Sequence, residues 1–401
     1  MKKIYSSIDI GTDSIKICIM ELVNNKLVIL GSSSTRTVGV INGKIIDENM
    51  VINSLKLAIK DISEKANLKI KKTLLIINNV DLIFKISIGQ MDIGGEITAL
   101  DIAKCEEKAI YKDIKENEQL ITVIPIEYKI DGEICSNPKG LTGENLQVKC
   151  VVIYALKEDM LKYNLIFKKL DIEITDYVLN GISNYYEVKN SDLDRQIGAV
   201  VNIGYDTTNI SIFNKGVIIK NKVLEIGSKK VDEDISYIYK LDKTTSRKLK
   251  ETFAVSCKRY ADSNDFYEIE EKSGRKLMIN NYEISEIVEA RLIDLFEIIK
   301  KEINNLTKRE ISYIIITGGI TEMAGFLYLS RGAFGKLVTV IDMKTLGIRH
   351  NKYSSVSGSI KFFTEKLELM DIDYSMFNED LSNSKKDDNI LNKIFGYFKE
   401  L

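Results

Sequence analysis

The sequence predicts an α/β fold built twice over, and three stretches carry that prediction. The first is Ser7-Ile8-Asp9-Ile10-Gly11-Thr12-Asp13-Ser14-Ile15-Lys16-Ile17-Cys18. Ile4, Ile8 and Ile10 before the glycine, and Ile15, Ile17 and Ile19 after it, alternate as in two half-buried strands. Gly11 to Ser14 form the turn between them. Glycine there permits positive φ and close approach, and successive backbone N–H groups of such a turn make an anion-binding nest. Thr12 and Ser14 add hydroxyls, Lys16 adds a point charge, and phosphate is the ligand this chemistry suits. The second stretch, Gly198 to Ile212, repeats the pattern with Gly204, Tyr205, Asp206, Thr207 and Thr208 at its turn. The third, Tyr313-Ile314-Ile315-Ile316-Thr317-Gly318-Gly319-Ile320, reads as a fully buried strand ending in paired glycines, over which a flat nucleoside can lie.

Hairpin, second hairpin and strand-Gly-Gly, in that order, resemble the actin-like ATPase superfamily. The resemblance implies a duplicated, ribonuclease H-like pair of α/β domains that clamp ATP and Mg²⁺ between them. It leaves function open, since sugar kinases and chaperones share the fold. At 401 residues the chain exceeds what one core usually serves. A net charge of -1 offers no basic excess for a general nucleic-acid binder. The five cysteines, Cys18, Cys105, Cys135, Cys150 and Cys257, are scattered without CxxC spacing, as expected of reduced thiols. Asp9 and Asp13 interrupt any signal-peptide core after Met1-Lys2-Lys3, and no apolar run approaches the roughly 18 residues of a spanning helix. A cytoplasmic protein is expected.

Taken in order, Leu27 to Ser33 reads as a third strand, Gly39 to Lys44 as a turn region, Met50 to Ala66 as a helix and Lys72 to Asn78 as a buried strand. The next segment holds both prolines of the chain: Pro125 before Asp131-Gly132, and Asn137-Pro138-Lys139-Gly140-Leu141-Thr142-Gly143. This pattern is similar to the inserted subdomain of the bacterial cell-division family FtsA. Later segments extend the resemblance: Ser246-Arg247-Lys248-Leu249-Lys250 against the family's Ala-Glu-x-Ile-Lys, and Val288-Glu289-Ala290-Arg291 against Ile-Glu-x-Arg. His350, the sole histidine, reads as a structural loop residue. The organisation implied is a first domain of 1–84, 160–197 and a last helix at 351–370, carrying an insertion at 85–159. The second domain is 198–227 and 307–350, carrying 228–306. A flexible linker at 371–389 and an amphipathic helix at 390–401 end the chain.

The resemblance places nucleotide contacts at Asp9, Gly11, Thr12, Asp13, Ser14, Lys16, Gly204, Tyr205, Asp206, Thr207, Thr208, Arg247, Lys248, Gly318, Gly319 and Ile320. It also exposes departures. Asn202 stands where the family has an acidic residue that positions Mg²⁺ and water, and an amide carries no charge for a metal shell. Tyr205 and Asp206 occupy places usually glycine, and whether Asp206 serves the metal or repels phosphate stays open. Arg247 replaces a ribose-contacting Glu and cannot accept a hydroxyl's hydrogen bond. Binding without rapid hydrolysis is the expectation, because phosphoryl-transfer rates depend on such positioned groups.

The tail is the remaining clue. Ile390, Leu391, Ile394, Phe395, Phe398 and Leu401 share one helical face, with Asn389 as N-cap. Such a helix either packs on the body or lies in a membrane interface, and the family has a membrane helix at this place. The resemblance implies an adaptor on the cytoplasmic face of the membrane at the division septum. It would form protofilaments, bind the C-terminal peptide of the tubulin-like protein FtsZ with Arg291 as a contact, and meet later division proteins. A pilus-assembly scaffold of the PilM kind and a small-molecule kinase are the alternatives.

Overall fold

The computed structural model describes residues 2–112, 114–270, 276–343 and 345–377. The chain starts with β1 (Lys3–Ile10), β2 (Ser14–Val23) and β3 (Lys26–Arg36), a meander joined by the first glycine turn. A small hairpin of β4 (Val40–Ile41) and β5 (Lys44–Ile45) leads to α1 (Glu48–Ala66). Asp47 caps this helix by accepting from the Met50 N–H at 3.0 Å, and Val51, Leu55, Ala58 and Ile62 make its buried stripe. Each large apolar side chain so buried contributes roughly 1.5–3 kcal/mol. β6 (Lys72–Ile77) returns parallel to β1.

An inserted α/β unit comes next: β7 (Leu82–Glu96), α2 (Ala99–Tyr111), β8 (Glu118–Ile130), β9 (Glu133–Cys135) and β10 (Thr142–Leu156), its sheet ordered β7-β10-β8-β9. The chain rejoins the first domain through α3 (Lys157–Lys169) and β11 (Glu173–Leu179), then crosses over by α4 (Asn180–Val188). The second domain repeats the plan with β12 (Ile197–Ile203), β13 (Thr208–Asn214) and β14 (Val217–Leu224). Its own insertion is α5 (Lys229–Tyr239), α6 (Lys243–Thr252) and the hairpin β15 (Phe266–Glu270) and β16 (Lys276–Asn280). Then come α7 (Asn281–Leu306), β17 (Tyr313–Thr317), α8 (Phe326–Phe334), β18 (Val338–Val340) and α9 (Ser354–Leu369), which packs back on β1.

The two main sheets are ordered β11-β6-β1-β2-β3 and β18-β17-β12-β13-β14, the same topology twice. In each, the first three strands are antiparallel and the last two are parallel to the first. Helices on both faces bury the central strands, which is why β12 and β17 read as nearly continuous apolar runs, while β1 buries Ser6, Ser7 and Asp9 among its apolar residues. One core gathers the first domain with its insertion and α9, and a second gathers the sheet of the second domain around α7.

The linker expected from residue 371 does not begin there. Tyr374, Ser375 and Met376 are buried. The Ser375 Oγ accepts from the Ile4 N–H at 3.1 Å, the Met376 N–H donates to the Ile4 carbonyl at 2.9 Å, and the Tyr5 hydroxyl donates to the Tyr374 carbonyl at 3.0 Å. β6 pairs with β1 only from Ser7 to Asp9, so the start of β1 has an open edge that this segment covers. Of the predicted linker and terminal helix, 378–401 lies outside the described residues.

Candidate functional site

The two glycine turns are built alike. The Gly11 N–H donates to the Ser14 carbonyl at 3.2 Å and the Gly204 N–H to the Thr207 carbonyl at 2.9 Å. A Cβ at either glycine would stand 2.9 Å from that same carbonyl. Neither has the positive φ that the sequence suggested; lack of space, not backbone conformation, requires glycine. The turns face a cleft between the domains. Gly318, at φ +113, lies so close to the Ile203 carbonyl that a Cβ would meet it at 2.1 Å, while beside Gly319 the space is open.

The floor of the cleft is a run of amides. Asn202 donates to the Asn180 Oδ1 at 3.0 Å, Asn180 to the Asn78 Oδ1 at 2.9 Å, and Asn78 to the Asp9 Oδ1 at 2.7 Å. Ser355 donates to the other Asp9 oxygen at 2.7 Å, and the Lys16 Nζ is 3.6 Å from it. Every N–H in the run points toward a carboxylate, so each bond polarises the next. This explains the amide at 202: a carboxylate there has no proton to give Asn180.

Beside the second turn, Tyr205 lies against α6, with the Arg247 guanidinium carbon 5.1 Å and the Lys250 Nζ 5.5 Å from its ring centroid. Lys250 and Asp232 form a buried pair at 2.7 Å. Burial raises the Asp232 carboxyl, and Lys250 opposes the rise. Arg247 crosses the cleft to grip both carboxylate oxygens of Asp13, the Nη2–Oδ2 contact being 2.9 Å, which holds its pKa up. Asp206 accepts from the Asn42 N–H at 3.2 Å and lies 3.2 Å from the Lys229 Nζ.

Comparison with known proteins places this architecture. A family model described as "Cell division protein FtsA" matches residues 199–358, and one described as "SHS2 domain inserted in FTSA" matches residues 82–154. The chain resembles the FtsA family both in its second domain and in its insertion. The FtsA of Bacillus subtilis (strain 168) is 23% identical over 367 residues, covering 90% of this chain and 83% of that protein. The FtsA of Streptococcus pneumoniae is 23% identical over 371 residues, covering 91% and 81%. Among solved structures, a chain of the PilM-PilN type IV pilus biogenesis complex superposes with a TM-score of 0.60 at 13% identity, covering 88% of this chain and 96% of that one. MreB5 of Spiroplasma citri bound to ADP gives 0.53 at 12%, covering 92% and 98%. The fold is actin-like.

Of the contacts expected from the FtsA resemblance, the structure gathers Asp9, Gly11, Thr12, Asp13, Ser14, Lys16, Asn202, Gly204, Tyr205, Asp206 and Arg247 around one cleft, with Gly318 and Gly319 behind the second turn. Thr12 is engaged locally, its Oγ1 accepting from the Gly43 N–H at 3.2 Å. Thr208 is turned away, its hydroxyl donating to the Ile226 carbonyl at 2.7 Å, and Ile320 is buried. Lys248 is exposed, its Nζ 5.9 Å from the Tyr267 ring centroid; Lys250, one helical turn from Arg247, is buried against Asp232. Arg291, the expected FtsA contact for a partner peptide, is spent on Asp234 of α5 through bonds of 2.5 and 2.9 Å. Asn78, Asn180 and Ser355 join the amide run and Asp9, and the sequence did not single them out.

Proposed function

We propose that this chain is a division adaptor that binds ATP in the cleft, self-assembles through its actin-like body, and anchors FtsZ to the inner membrane face by residues 390–401. What carries the reading is one combination: an FtsA-like body with its inserted subdomain, and a terminal segment whose six large apolar side chains share a helical face. The glycine turns, with Lys16, suit the phosphates, and the open face of Gly319 suits the nucleoside. Mg²⁺ would enter with the phosphates; among the described residues no group of three or more His, Cys, Asp or Glu is placed to hold a metal. Hydrolysis is slow in this reading, because Asn202 is committed to Asn180.

Among the described residues no helix is long and apolar enough to cross a membrane, so attachment is assigned to the tail. A dozen or so residues make a marginal helix in water, and folding is therefore coupled to lipid insertion. One tail binds weakly, and assembly multiplies the hold by avidity. An FtsZ peptide reaching Arg291 has to exchange with Asp234, and later division proteins would meet the same polymer. Vesicle co-sedimentation of the full chain and of a form ending at Asn389 tests the reading. Only the full chain should pellet with lipid, and more so once assembled; equal behaviour of the two forms removes the tail from the account.

A further inference from the structure

The two turn aspartates occupy equivalent positions, Asp13 two residues after Gly11 and Asp206 two residues after Gly204, and each is held by the opposite domain. Asp13 is gripped by Arg247 of α6. Asp206 accepts the N–H of Asn42, which lies in the β4–β5 turn. The second clasp is widened by Glu225, which accepts from the Asn42 Nδ2 at 3.1 Å and lies 4.0 Å from the Lys44 Nζ. We propose that this chain closes its cleft with its own side chains, through two clasps related by the internal duplication, so that closure does not wait for nucleotide. The inference rests on the cleft reading for what closure serves, not for closure itself.

The chemistry favours it. Carboxylates on phosphate-binding turns repel a polyphosphate, and an open cleft would leave both exposed to each other's field. Closed, each is matched by a donor from the opposite half: a bidentate guanidinium in one case, among the strong pairings available to a carboxylate, and a backbone N–H in the other. A carboxylate at position 247 would repel Asp13 rather than hold it. The amide run from Asn202 to Asp9 ties the floor of the cleft in the same sense, spanning both domains.

The test is energy transfer between dyes on the full chain, with Lys56→Cys on α1 and Lys243→Cys on α6 in a Cys135→Ser background, at nanomolar concentration without nucleotide. High transfer that Mg·ATP does not raise is expected. Arg247→Ala and Asp206→Ala should each lower it, by shifting the closed-to-open ratio on the order of tenfold. The swap Asp13→Arg with Arg247→Asp should restore it. The Arg247 and Asp13 side chains are 30% and 26% exposed, so salt should also lower transfer in the unsubstituted clasp. Transfer that is low until Mg·ATP is added overturns the proposal, as does transfer indifferent to both substitutions. Should the substituted chains fail to fold, transfer indifferent to about 1 M salt in the parent overturns it too. Binding of a fluorescent ATP analogue, read in the same samples, reports on the nucleotide reading separately.

Discussion

The two halves of this molecule share a sheet order and a glycine turn, yet they treat the turn differently. In the first half, Asp9 pairs across the hairpin with Lys16; at the matching positions of the second half, Asn202 pairs with Asn209. Charge at the floor of the cleft therefore comes from one domain only, and the other reaches it through neutral amides. The second half holds its ionic chemistry further out, in the buried Lys250–Asp232 pair and in Arg247. The same backbone plan thus carries a charged floor in one half and, in the other, neutral amides with an ion pair set further out.

The largest effect expected from breaking this division is at Lys250. Replacing it with Met leaves Asp232 buried without its cation, which should cost about 3–5 kcal/mol in urea unfolding; a loss no larger than that of Lys16→Met would erase the contrast between the halves. The insertion of the first half offers a pH test. Burial pushes the Glu106 carboxyl up to about 7, against the opposing bond from Tyr128. A raised acid stabilises the fold fully below its unfolded value near 4.5 and loses that contribution as pH rises through about 7. Glu106→Gln should then gain on the parent between those limits, by up to roughly 3 kcal/mol at alkaline pH. Denaturation midpoints across pH check it, and a gap that does not grow with pH contradicts it.

Asn202→Asp makes the two floors alike. Without an N–H for Asn180, the amide run should lose about 1–3 kcal/mol, and calorimetric melting should show it. A gain in ATP turnover alongside would identify this position as the one that sets the rate. The smallest effect belongs to Arg247→Lys, which keeps charge but not the fork. Stability should fall by no more than about 1 kcal/mol for so exposed a pair, whereas dye transfer across the cleft should fall clearly.

Much of the fold was legible because it is written in short-range patterns: alternating apolar residues at each hairpin, the apolar run before Gly318-Gly319, the helix over Met50 to Ala66. The site was legible in its turns and less so between them. Asn78 and Asn180 sit at the ends of buried strands, where asparagine resembles any strand-terminating residue until the fold joins them. Lys248 is exposed beside Tyr267, while Lys250, three residues on from Arg247 and on its helix face, is the lysine that is buried. Residues 371–377 read as linker from their acids, while Tyr374 and Met376 hold them to β1, a contact across nearly the whole chain that local composition does not reveal.

The adaptor account is tested most directly by floating FtsZ with vesicles. FtsZ filaments, this chain and liposomes are mixed with Mg·ATP and separated on a density gradient. FtsZ should rise with the lipid when the full chain is present and stay below when the chain ends at Asn389. FtsZ that never floats, or floats equally with the shortened chain, would contradict the assignment of this protein as a membrane anchor for division filaments.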